Sequence, residues 1–132
     1  MQLISINERE YSFEDGEIIE FAEGLIGLPE MRRAVLIEMD EYQPFCWLAS
    51  LENENTRFIV VDPQKIFEGY NPLEDLSPTE DRMLSIVKIS SDWEKTTINL
   101  RAPILINAEK KSGSQLILSN SDYQFSERLP QN

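Results

Sequence analysis

Thr96-Thr97-Ile98-Asn99-Leu100-Arg101-Ala102-Pro103-Ile104-Leu105-Ile106-Asn107 is the stretch whose reading decides the fold. It starts polar, runs through a strand interrupted at Pro103, continues into the aliphatic run Ile104 to Ile106 and stops at Asn107. A proline has no N–H to give to a sheet ladder, so the strand must bulge, bend or lie on an edge there. Ala102, just before the proline, is held extended, which keeps the chain strand-like through the bend. A bent strand with apolar flanks predicts a closed or strongly curved sheet. Asn99 is the polar residue hardest to explain by packing alone. Two readings of it stand: an amide that satisfies bent-strand backbone groups, or a residue that contacts a partner.

Strand-like runs extend on both sides of this stretch. Leu3 to Ile6, Glu17 to Phe21, Ala34 to Met39, Pro44 to Leu51, Arg57 to Val61, Met83 to Ile89 and Ser114 to Ser119 each carry apolar, β-branched or aromatic residues between turn signals. Tyr11 to Gly16 reads as a turn, and Ala108 to Ser114 as a hairpin turned at Gly113. The run from Pro44 to Leu51 is apolar on both faces, which predicts a central strand with Cys46 and Trp47 in the core. Gly24 and Gly27 predict a tight turn that buries Leu25, Ile26 and Leu28, and no phosphate-loop spacing accompanies them. The tally is about nine or ten short strands with hardly any helix, a pattern of an antiparallel barrel or sandwich. Tyr123 to Asn132 reads as a short strand that frays at its polar end.

At 132 residues with 41% hydrophobic composition, the chain predicts one globular domain over residues 1–132. No apolar run approaches the ~20 residues of a membrane span, and the N-terminus has no leader-like pattern, so a cytoplasmic protein with no membrane partner is expected. A single cysteine fits a reducing compartment.

Charge is the strongest compositional signal. Lys plus Arg total 12 against 24 Asp plus Glu, a formal net charge of −12. Such a field repels phosphate backbones and disfavours direct nucleic-acid binding. It also draws in basic proteins, although solubility alone is an equally good reason for it. Seven of the acids (Glu8, Glu10, Glu14, Asp15, Glu17, Glu20, Glu23) crowd one early segment whose only base is Arg9.

Glu68 to Arg82 is the longest stretch without strand character, with Ser77 and Pro78 placed to start a short helix. It interleaves Glu68, Glu74, Asp75, Glu80 and Asp81 with exposed-looking Tyr70, Leu73 and Leu76. Acidic charge steers an encounter and apolar anchors hold it, so Tyr70, Leu73, Glu74 and Asp75 are candidate partner-binding residues, with Asn99 beside them. The alternative is a decorated surface loop whose apolar residues fold back on the core.

The absence of histidine removes the Ser-His-Asp and Cys-His arrangements and the common zinc signatures. No catalytic residue, metal site or cofactor is expected. A carboxylate-dependent, metal-binding hydrolase is the alternative function, and a purely structural protein a third.

Ile18-Ile19-Glu20-Phe21, Gly24-Leu25-Ile26-Gly27-Leu28, Pro44-Phe45-Cys46-Trp47-Leu48-Ala49-Ser50, Phe58-Ile59-Val60-Val61-Asp62-Pro63, Thr96 to Asn107 and Gln115-Leu116-Ile117-Leu118 together resemble FliW, the bacterial flagellar assembly factor. The likeness runs in the family's order over nearly the whole chain. Leu28, Ile98 and Ala49 depart from it, where Phe, Ala and Gln are more usual. The resemblance implies a small β-barrel-like, non-enzymatic protein that binds the translational regulator CsrA and relieves its repression of flagellin mRNA. It also implies binding to flagellin, whose free form competes for the factor. A monomer is expected. Binding at the regulator's RNA site and binding beside that site both remain open.

Overall fold

The computed structural model describes residues 1–73, 81–119 and 121–130. Eleven strands run in chain order: β1 Gln2–Ile6, β2 Arg9–Phe13, β3 Ile19–Phe21, β4 Arg33–Glu38, β5 Cys46–Ser50, β6 Arg57–Val61, β7 Asp81–Lys88, β8 Thr97–Ile98, β9 Ile104–Asn107, β10 Ser112–Gln115 and β11 Glu127–Arg128. Among the described residues only short 3-10 turns interrupt them, and no helix there is long and apolar enough to cross a membrane.

Seven strands close a barrel in the order β7-β6-β5-β4-β3-β10-β9, and β9 pairs back to β7. Every ladder is antiparallel except β3–β10, where Ser112 lies beside Glu20 and Gly113 beside Phe21. Closure pairs most of the edges that an open sheet of this size leaves exposed.

Three cores follow from the alternation of side chains along the strands. Phe21, Leu48, Val60, Leu84 and Ile104 fill the barrel interior. Ile6 and Phe13, from the β1–β2 hairpin, cover Val35, Ile37 and Ala49 on the outer face of β4 and β5. Val61, Tyr70, Val87, Ile98, Leu100 and Leu129 form the third core on the outer face of β6 to β8.

The bend at Pro103 is larger than a kink. Both halves of the stretch pair with β7: Thr97 and Ile98 with Lys88 and Val87, and Ile104 to Asn107 with Leu84 to Asp81. Between these ladders five residues, Asn99 to Pro103, face only Ser85 and Ile86. The excess bulges outward and re-aims the strand, which lets β9 reach β10 and close the barrel.

Several local expectations change. Tyr11 to Phe13, expected to open a turn, belong instead to β2. The reversal falls at Asn7 and Glu8, whose positive φ of 50° and 68° suits a two-residue hairpin. Gly113 lies within β10, and the preceding turn is made at Ala108–Lys111 with Lys111 at φ 54°. The glycine is needed for a close approach instead, since a Cβ there would stand 2.4 Å from the Phe21 ring. Gly24 and Gly27 do take positive φ, 69° and 81°. Their turn buries Leu25 and half-buries Leu28 but leaves Ile26 51% exposed. The helix start at Ser77 and Pro78 lies outside the described residues.

Candidate functional site

Two features, the bulge and the segment before β7, meet on the third core. Asp62 follows β6 and accepts Gln64 N–H at 2.9 Å, starting a 3-10 turn over Pro63–Lys65. Phe67 N–H then bonds Pro63 O at 2.8 Å and Tyr70 N–H bonds Phe67 O at 3.0 Å. The Gln64 amide closes the loop on Tyr70 O at 2.9 Å. This winding delivers Tyr70 inward.

Tyr70 is therefore not the exposed anchor that the loop's polarity suggests. It is 2% exposed, its hydroxyl donates to Leu100 O, and Tyr123 packs edge-on with ring centroids 4.7 Å apart. Burial, then the neighbouring Tyr123, pushes its phenol well above the ordinary range, so it stays neutral. The apolar residue folds back on the core, where it supports the bulge from below. Leu73 is half-buried, and Glu74 and Asp75 lie outside the described residues.

Asn99 shapes the bulge. Its side-chain oxygen accepts Arg101 N–H at 3.1 Å and Ala102 N–H at 2.9 Å, and its own N–H bonds Ile86 O at 2.9 Å. Half-buried, it supplies acceptors that the missing ladder would have provided. The C-terminal segment clasps the bulge from outside. Gln124 O accepts Leu100 and Arg101 N–H at 3.0 and 3.1 Å. Arg101 Nε donates to Leu118 O at 3.2 Å, with its guanidinium 5.5 Å from the Phe125 ring centre.

Between the Phe67–Tyr70 turn and residues 122–127 runs a cleft of about 470 Å³. Phe67, Tyr70, Leu100 and Tyr123 line it, and Glu68, Asp122 and Glu127 also stand on it. No basic residue lines it, and no ion pair among the described residues reaches those carboxylates. The cleft thus combines an apolar surface with uncompensated negative charge. Its far wall, Asp122 to Glu127, is absent from the candidates read in the sequence; the signal was a pair of aromatics, Tyr123 and Phe125, in an otherwise polar tail.

No three of His, Cys, Asp and Glu converge as a metal site among the described residues. Cys46 is buried, and that burial raises its thiol above the ordinary range despite the opposing Arg82 guanidinium.

The fold and sequence match known proteins along most of their length. The family model described as FliW protein matches residues 5–129. A flagellar assembly factor FliW from Clostridium beijerinckii is 35% identical over 138 residues, covering 98% of this chain and 98% of that protein. One from Thermotoga petrophila is 38% identical over 126 residues, covering 88% and 85%. A crystal structure described as that of the flagellar assembly factor FliW superposes with a TM-score of 0.88 at 26% identity, covering 99% of both chains.

Proposed function

The chain belongs to the FliW family, and on that premise we propose that it is a non-enzymatic flagellar assembly factor that works by holding protein partners. In this reading it is a cytoplasmic monomer that binds a CsrA-type regulator and relieves the repression of flagellin mRNA. Flagellin is the competing partner, so free flagellin restores repression.

The observation that carries the proposal is the cleft beside the bulge, where Glu68, Asp122 and Glu127 make no ion pair among the described residues. An RNA-binding regulator must present basic surface, and a chain of formal charge −12 attracts it over several ångströms before contact. Affinity then needs an apolar anchor, which the half-buried Phe67 and Tyr123 offer. The adjoining Leu73, Glu74 and Asp75 extend the same alternation of apolar and acidic residues in sequence.

Calorimetry of the Glu68→Lys/Glu127→Lys variant against a CsrA-type dimer, repeated at several salt concentrations, tests this. The expected result is weaker binding with a shallower salt dependence in a variant that melts like the parent. Unchanged affinity and slope would remove the cleft from the interface. Glu74→Lys/Asp75→Lys gives the same test for the adjoining segment. Adding flagellin to the preformed complex should release the regulator.

A further inference from the structure

The run Gln115-Leu116-Ile117-Leu118 has more strand character than the fold consumes. Regular pairing of β10 ends at Gln115, yet residues 116–118 run on alongside the bulge before the turn at Ser119. Leu116 N–H bonds Pro103 O at 3.0 Å and Leu118 N–H bonds Arg101 O at 2.8 Å. Residues 116 and 118 thus continue the register with β9 (Ser112 opposite Asn107, Ser114 opposite Leu105). On a strand, alternate residues send their backbone groups to opposite edges. Those of Ile117 point away from the bulge, and neither its N–H nor its carbonyl has a backbone partner among the described residues.

The neighbour that would cover this edge is too short. β3 pairs with β10 only at Ser112 and Gly113, and the chain then leaves through the turn at Gly24. Ile26 N–H reaches back to the Gln115 side chain at 2.9 Å, and a notch of about 260 Å³ remains between Ala22–Ile26 and Gly113–Gln115. Ile26 and Ile117 are 51% and 55% exposed, Leu116 is 38% exposed, and the notch carries one carboxylate, Glu23, and no base.

We propose that residues 115–118 form an open sheet edge that accepts an extended segment of a partner protein as an added strand. The unused N–H and carbonyl of Ile117 recognise the incoming backbone, which selects an extended chain over a helix. Ile117 and Ile26 select an apolar side chain, and Glu23 selects a basic residue at the notch. This edge is separate from the acidic cleft, although Arg101, which does not line the cleft, bonds both Gln124 and Leu118. The inference therefore stands whether or not the cleft binds a regulator.

The probe is a capped peptide, Lys-Val-Thr-Val-Thr-Val-Lys, titrated into the full chain and followed by amide chemical shifts. The expected shifts centre on Ile26, Gln115 and Ile117, with the Ile117 amide newly protected from exchange. Two further arms separate strand addition from nonspecific apolar contact. The Ile117→Pro variant, which melts like the parent because the removed N–H is unpaired, should bind about tenfold more weakly, as one or two lost backbone bonds imply. A peptide N-methylated on alternate residues should lose binding in one methylation phase and keep it in the other. Shifts elsewhere, or equal binding of both methylated peptides, would overturn the proposal. A dimer in sedimentation that Ile117→Pro dissolves would also overturn it, in favour of a second copy of the chain.

Discussion

The side-chain oxygen of Asn99 lies 2.9 Å from the backbone nitrogen of Ala102 and accepts its hydrogen. Through this bond and its companion to Arg101, one amide fixes the shape of the five-residue detour that separates β8 from β9. Proline at 103 ensures that the strand cannot run straight, but it does not specify where the chain goes instead. Asn99 does, and the carbonyl of the bulge residue Leu100 then becomes available to Tyr70.

Asn99→Ala should cost about 1–3 kcal/mol, the range for orphaning a partly buried backbone donor, with Gln124 still holding Arg101 N–H. Asn99→Asp keeps the acceptor and should cost clearly less. Urea unfolding followed by Trp fluorescence checks both. Equal losses would mean that the side-chain oxygen does not shape the bulge.

Tyr70→Phe removes the hydroxyl bonded to Leu100 O while keeping the ring against Tyr123, and should lower stability by about 1–2 kcal/mol. The same residue sets an alkaline limit. Its phenol is raised in the folded state, first by burial and then by Tyr123. Below about pH 10 the group is protonated in both states and its contribution is complete. As the pH rises past that value the unfolded chain ionises first, so stability falls. In Tyr70→Phe the decline above about pH 10 should be shallower. Chemical melts from pH 9 to 11, on a Cys46→Ala background that removes the raised thiol, isolate the effect. Parallel curves for Tyr and Phe would contradict it.

Glu68→Lys alone, at the edge of the cleft, should leave the melting temperature within a degree or two, since the exposed charge there has no ion pair among the described residues to lose. A pronounced fall in stability would show that the carboxylate is structural. The regulator-binding test of the double variant would then need a different pair of positions.

The barrel was legible because periodicity survives in short strands. Arg33–Glu38, Cys46–Ser50 and Arg57–Val61 fall within two residues of their expected bounds, and the Pro103 bend announces a curved sheet. Residues whose roles depend on a distant partner were not legible. Gly113 looks like a turn until the Phe21 ring is placed against it, and Tyr70 looks exposed until Leu100 and Tyr123 are placed around it. The parallel pairing of β3 with β10 joins segments some ninety residues apart, which local patterning cannot register. The acidic wall at Asp122 and Glu127 escaped for the same reason, because composition reveals the charge but not what it faces.

The glycines separate steric need from conformational need. A Cβ on Gly27 would meet nothing within 4 Å, so Gly27→Ala carries only the strain of φ +81°, about 1 kcal/mol. At Gly24 the same substitution adds a backbone clash, 2.5 Å from Leu28 O, and should cost substantially more. At Gly113 the obstacle is a side chain, the fully buried Phe21 ring, so Gly113→Ala should cost about 1–3 kcal/mol through overpacking. That cost should be recoverable. In the double variant Gly113→Ala/Phe21→Leu the new methyl occupies space the ring has vacated, so the two losses should sum to more than the double variant shows, by about 1 kcal/mol or more. A thermal-melt cycle of the four proteins measures the coupling. Strict additivity would mean that Gly113 is required for its backbone and not for the ring beside it.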